Sequence, residues 1–340
     1  MERKSKGRGL AVIMPVGGVL VWLLVAFFAT TSHAQSDQWK PKGPVEIVVT
    51  GGPGGGNDRT ARKIQQVLQE LRLVDTPVTV ANKPGGGGAI AWSYLNQHAG
   101  DAHYLSVTFP SLLTNHIIGR STLHFRDFTP IAQLFTEYYV LMVRADSPLK
   151  SGTDLLNRLK QDPQSLTVGV APGLGAASHA VTGMIVRAVG IDVKRMRVVI
   201  DPSSNRNLIA LLGGHIDVVP VSAGNAVVQL KAGKVRVLGV AAPRRLGGVL
   251  ADVPTWKEQG VNVDLISNTR GVMGPRGLTP AQVALWQDVF SRLSRTEEWK
   301  KYLDTFLGQP LYIGGTRNIK YLEQREAELK EVLTELGLAK

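Results

Sequence analysis

Val45-Glu46-Ile47-Val48-Val49-Thr50-Gly51-Gly52-Pro53-Gly54-Gly55-Gly56-Asn57-Asp58 joins a short apolar run to a glycine-rich turn, and Ala61, Ile64, Val67, Leu68 and Leu71 then recur at helical spacing. A buried strand, a glycine loop and an amphipathic helix form the repeating unit of parallel α/β sheets. Asn57 or Asp58 is expected to cap the helix through a short side-chain oxygen. The unit recurs twice. Val78-Thr79-Val80 leads through Asn82-Lys83-Pro84-Gly85-Gly86-Gly87-Gly88 to a helix with Ile90, Tyr94 and Leu95. Leu166-Thr167-Val168-Gly169-Val170 leads through Pro172-Gly173-Leu174-Gly175 to one with Val181, Met184 and Ile185.

Loops of this kind favour a small anion at the carboxyl ends of the strands. Glycine lets the backbone approach a ligand closely, and the free N–H groups of a helix start attract a carboxylate or phosphate. The alternative for any one loop is a tight turn and nothing more. Three in one chain favour a site. Gly55 and Gly87 are expected at positive φ. Nucleotide readings fit poorly. Gly54-Gly55-Gly56-Asn57 lacks the Gly-Lys-Ser/Thr of a phosphate loop, and Gly173-Leu174-Gly175-Ala176-Ala177-Ser178 has serine at the third glycine of the dinucleotide fingerprint.

The 340 residues suggest two domains, and the hydrophobic share of 44% with 19% charged residues describes a globular chain. Cysteine is absent, which excludes disulfides, thiolate metal sites and cysteine nucleophiles. At the N-terminus Arg3, Lys4, Lys6 and Arg8 precede the apolar run Leu10–Ala29, and Ser32-His33-Ala34 offers a cleavage site. Residues 1–34 therefore read as a secretory signal peptide, with a retained membrane anchor as the alternative. That segment carries four cations and Glu2, a net +3, so +9 of the +12 total stays with the mature chain. Export to the periplasm makes nucleic acid an unsuitable partner, and the basic residues form no stripe with interleaved aromatics.

Catalytic constellations are thin. The seven histidines include no His-Glu-x-x-His pair and no cluster at ligand spacing, so neither a metal nor a cofactor is expected. Pro220-Val221-Ser222-Ala223-Gly224 has proline in place of the first glycine of a nucleophile elbow and reads as structural. His179, beside Ser178 in a helix first turn, could serve a ligand or cap the helix. The segment Asn318–Leu338 is an amphipathic terminal helix packing on its own domain.

Taken together, Val48-Val49-Thr50, Pro53 to Arg62, Asn82 to Gly88, Asp127-Phe128-Thr129-Pro130-Ile131-Ala132, Leu211 to Val218, Gly233 to Val240, Asp252 to Gly260 and Gly274 to Pro280 resemble the Bug family. These are the extracytoplasmic solute receptors of tripartite tricarboxylate transporters. The resemblance implies a type II periplasmic-binding-protein fold of class α/β, with lobe one at 35–135 and 250–340, lobe two at 136–249, and a ligand cleft between them. It also implies capture of a small organic carboxylate for membrane components of the transporter, no enzymatic activity, and a monomer. Carried over residue by residue, Gly54, Gly55, Gly56, Asn57 and Asp58, with Gly85, Gly86, Gly87 and Gly88, would grip one carboxylate. Thr108 and Ser111 would add hydroxyls. The second lobe would contribute Gly173, Gly175, Ala176, Ser178 and His179, with Val221 and Ser222 nearby. Ala176 replaces a frequent serine, Val221 a frequent aspartate, and Ile200-Asp201-Pro202-Ser203-Ser204-Asn205 a lysine-glycine turn. Valine at 221 implies a solute without an amino group, because a buried ammonium there would have no partner. The competing functions are a sensory module for a membrane kinase and, less compatible with the missing acid–base pair, an exported enzyme acting on an organic acid.

Overall fold

The computed structural model describes Met1, Glu2, Gly7 and residues 39–340 except 172, 202 and 263–265, so the signal-peptide reading of 1–34 lies almost entirely outside the described residues. No described helix is long and apolar enough to cross a membrane.

Five-residue apolar runs form β1 (Val45–Val49), β2 (Val78–Asn82) and β3 (Tyr104–Thr108), and β1 pairs in parallel with both neighbours. Parallel pairing brings Val49 level with Asn82 and Val48 level with Ser106. The three loops that follow must therefore leave from one edge of the sheet, where ligands bind in open α/β folds. Helices α1 (Gly56–Glu70), α2 (Ala89–Gln97) and α3 (Ser111–Ile117) begin there. The sheet is completed by antiparallel strands, giving the order β11-β4-β10-β3-β1-β2, where β4 is Thr129–Glu137, β10 Asn268–Gly274 and β11 Gln309–Gly314. Helices α8 (Pro280–Leu293), α9 (Glu297–Thr305) and α10 (Thr316–Glu335) accompany this first lobe. Trp286, Trp299, Phe135 and Phe290 are fully buried with Val45, Ile47 and Val49 on one of its faces.

After Glu137 and Tyr138 the chain enters a second lobe. Its strands are β5 (Tyr139–Arg144), β6 (Thr167–Val170), β7 (Arg197–Ile200), β8 (Val219–Ser222) and β9 (Val235–Ala241). Here β5 joins β8 and β9, β6 pairs in parallel with β7, and a parallel bridge from Val168 to Val218 connects the two sets. The parallel members β6, β7 and β8 again send their loops out on one side, into α5 (Ala177–Arg187), α6 (Ser204–Leu212) and α7 (Ala223–Lys231). Helix α4 (Gly152–Gln161) packs below. Thr255 bridges to Val240 and Trp256 lies so close to Gly239 that an added Cβ would meet its ring at 2.8 Å, which ties 255–256 to the second lobe.

Two local expectations change. The N-cap of α1 is Gly55, with no side-chain cap; Asn57 and Asp58 lie inside the first turn. The terminal helix α10 does more than cover its own lobe. Leu336, just past it, would touch a Cβ at Gly183 within 2.9 Å, and Arg187 of α5 is ion-paired with Glu335. The last residues of the chain thus fasten one lobe to the other.

Candidate functional site

The loops from both sheets face each other across a cavity of about 620 Å³. The first lobe supplies the backbone of Gly51, Gly52, Pro53, Gly55, Gly56 and Gly85–Gly88, and the side chains of Thr50, Asn57 and Ser111. The glycines are a requirement of geometry. Gly85, Gly86, Gly87 and Gly88 have φ of 126°, 57°, 64° and 113°, a run of left-handed residues that only glycine adopts without strain. Asn115 donates to the Gly87 carbonyl at 3.0 Å and holds the loop in place. In the first loop Gly54 has φ of 76°, whereas Gly55, expected at positive φ, sits at −69° as an ordinary extended N-cap.

Asp58 organises this loop from behind. It is 2% exposed and accepts from the Gly54 amide at 2.8 Å, from Arg62 Nε at 3.0 Å and from Asn82 Nδ2 at 3.0 Å. Burial pushes its carboxyl up, but the bonds from Arg62, Gly54 and Asn82 prevail and hold it below the usual carboxylate range. Asp58 and Gly54 therefore do not line the cleft; they fix the backbone that does. Thr108 is also displaced from its expected place. It faces a small apolar cavity of about 40 Å³, on which Phe125, Val272 and Leu329 also border.

In the second lobe Ala171, Ala177, Ser178, Ser222 and Asn225 reach the cavity, together with 203–206. Gly173, Gly175 and Ala176 lie outside the lining. Gly173 packs against Arg120, and the Gly175 amide donates to His179 Nδ1 at 3.1 Å. Burial lowers the His179 pKa to about 4, so its imidazole is neutral at physiological pH and acts as an internal acceptor for this loop. It does not line the cavity. Val221 lies outside the lining as well. Strand alternation turns it away from the cleft into the second-lobe core with Val140 and Leu211, at 2% exposure, while its neighbour Ser222 lines the cleft.

Of the helices that begin at this cavity, α6 is capped by Ser203, whereas α1, α5 and α7 lack side-chain caps. Neither Gly55 before α1 nor Ala176 before α5 nor Ser222 before α7 makes a side-chain bond to the first turn. Free N–H groups and the positive ends of three helix dipoles are thereby left toward the cavity. Among the described lining residues there is no Asp, Glu, His or Lys, and the charged members are Arg206 and Arg270. Arg206 is largely exposed and paired with Asp201. Arg270 is 5% exposed, donates through Nη2 to Glu137 at 3.2 Å and through Nη1 to Asn57, and its Nε has no partner. Burial favours the neutral guanidine, yet the charge of Glu137 and the adjacent Tyr302 and Tyr139 keep Arg270 above its ordinary pKa.

Tyr139, Asn225, Asn268 and Arg270 escaped the sequence reading. The available signal was Asn268-Thr269-Arg270, polar side chains at the head of an otherwise apolar strand. The structure also joins His116, His124 and Glu326, whose ligand atoms all lie within 4.8 Å of one another, although the sequence shows no such cluster. The Arg126 amide donates to His124 Nδ1, which places the ring hydrogen on Nε2, 2.6 Å from Glu326 Oε1. This arrangement is a hydrogen-bonded link between α10 and the turn before β4.

Among the described residues, two side-chain hydrogen bonds cross the cleft. Arg59 of α1 donates to Asn225 of α7, and Asn268 of β10 donates to Ser222 Oγ at 3.2 Å.

The profile of the tripartite tricarboxylate transporter family receptor, TctC, matches residues 60–338. A UPF0065 protein in the gbd 5′ region of Cupriavidus necator is 26% identical over 313 residues, covering 92% of this chain and 93% of the relative. Among solved structures, R. palustris Rpa4515 with adipate is 25% identical with a TM-score of 0.79, over 88% of this chain and 99% of the other. MatC from Rhodopseudomonas palustris with bound malate is 25% identical with a TM-score of 0.74, over 86% and 99%. The two-lobed architecture is that of this group.

Proposed function

Because the chain belongs to the tripartite tricarboxylate transporter receptor family, we propose that it is a periplasmic binding protein that captures a small carboxylate-bearing organic acid in this cleft and delivers it to the membrane components of such a transporter. The observation that carries the reading is the lining itself: uncapped helix starts from both lobes and two arginines, without an acidic side chain among the described residues. Such a surface stabilises an anion through fixed N–H dipoles and repels nothing about a carboxylate. The similar structures with adipate and malate support the same ligand class. We take the first lobe as 39–137 and 268–340 and the second as 138–262, with the cleft closing around the solute.

The same lining argues against catalysis. Among its described residues there is no carboxylate, imidazole or amine to act as general base for Ser222. The basic N-terminal segment followed by an apolar run supports export.

A thermal-shift and calorimetry panel of mono-, di- and tricarboxylates against their amides tests the proposal. At a hundredfold excess over Kd an acid should stabilise the protein by about 2.7 kcal/mol. Stabilisation by the amides and by none of the acids, or turnover of an acid during the titration, would overturn it.

A further inference from the structure

Carboxylate capture gives Arg270 only the general role of a cation in the lining, yet its placement is specific. It lies on β10 with its guanidinium against the first turn of α1, so close that a Cβ at Gly56 would meet Nη2 at 2.8 Å. Of its five N–H donors, one serves Glu137 and one serves Asn57. Glu137, itself 6% exposed, also accepts from Asn268 at 3.3 Å, and it lies behind the lining. The ion pair is neutral as a whole, but the ligand meets only its cationic half.

A carboxylate at the start of α1 therefore lies beside a fixed guanidinium. An amino group on the adjacent carbon would lie beside that cation too, with no acidic side chain in the described lining to balance it. Like charges at such separation are destabilising, and rejection of this kind sets specificity as much as attraction does.

We propose that Arg270, backed by Glu137, is the specificity-determining residue of the cleft, admitting carboxylic acids that lack an α-amino group and rejecting α-amino acids. The inference rests on the carboxylate reading above. The conclusion about the amine resembles the one drawn from Val221, but Val221 is buried in the core, and the charge that excludes the amine belongs to β10.

Matched pairs test it: succinate against aspartate, and adipate against 2-aminoadipate, by calorimetry on the full mature protein. The wild-type protein should prefer the amine-free member of a pair by about tenfold or more, the scale of one charged hydrogen bond. Arg270→Gln leaves Glu137 as an unneutralised acid and should narrow or reverse that ratio. The double variant Arg270→Gln/Glu137→Gln removes both charges, keeps a hydrogen-bonding pair in the buried position, and should narrow the ratio to about threefold. Wild-type selectivity persisting in the folded double variant would overturn the inference, as would wild-type protein binding both members of each pair equally. In the latter case carboxylate capture stands, whereas binding of no acid at all removes that reading and this one together.

Discussion

Helices that begin at the cleft and helices that begin away from it are built differently. Away from it, α4, α8 and α9 start with Ser151, Thr279 and Thr296, each accepting a backbone N–H of its own first turn, two of them in full capping boxes. At the cleft, α1, α5 and α7 start bare. The division is not strict, since α6 is capped by Ser203 at the cavity rim and α10 starts uncapped at Gly315 outside the lining. A missing cap costs about 1 kcal/mol of stability. Its repeated absence in one place leaves backbone donors open toward the cavity, and Asp58, Asn115 and His179 fix from behind the loops before α1, α2 and α5.

The strongest way to break this comparison is to obstruct one bare loop. Gly87→Val places a β-branched residue at φ of 64° with its Cβ about 2.8 Å from Asn115 Nδ2. It should lower affinity for a carboxylate that binds the wild-type protein by ~100-fold and cost about 1–3 kcal/mol of stability. Gly190→Ala is its counterpart: φ is 82°, but nothing lies within 4 Å and the residue is outside the lining. Calorimetry should find its binding unchanged, with only the stability loss. Equal affinity loss in both variants would show that strain anywhere, rather than the cleft loop, controls binding.

The loop held by His179 gives a pH-dependent test. The unfolded imidazole takes a proton near 6.5 and the folded one only near 4, so this contribution to stability is fully present above 6.5 and is lost as the pH falls from 6.5 to 4. The loss approaches about 3 kcal/mol. His179→Asn keeps an acceptor for the Gly175 amide without that titration, so urea unfolding at pH 7 and pH 4.5 should show a smaller acid-side drop in the variant. Identical drops would mean that His179 is already accessible to protons in the folded state.

The smallest effects come from exchanging caps. Ser151→Ala should cost about 1 kcal/mol in urea unfolding and leave affinity unchanged. Ala176→Ser, which offers α5 the hydroxyl it lacks, should add about 0.5 kcal/mol and weaken the acid by a few-fold, because the new cap competes for the same N–H groups. A variant that gains stability without losing affinity would remove α5 from the binding surface.

Local patterns of residues suffice to place the units. Apolar runs of five residues, the glycines after them and the helical spacing of Ala61, Ile64 and Val67 are local signals, and they located β1, the glycine-rich loops and the helices after them, though not the cap of α1, because strand and helix periodicity are properties of neighbouring residues. The sequence also marked Gly55–Asn57, Gly85–Gly88, Ser111, Ser178 and Ser222, all of which line the cleft. Which neighbours face inward depends on how the strands and lobes pack. One step along β8 sends Val221 to the core and Ser222 to the cavity. Burial makes His179 a neutral acceptor inside its own lobe. Arg270 and Glu137, 133 positions apart, become a pair only because β10 runs antiparallel to β4 in the completed sheet. Charge selection at the cleft depends on that pairing, and pairing across such a separation is a property of strand order, which no local pattern of residues carries.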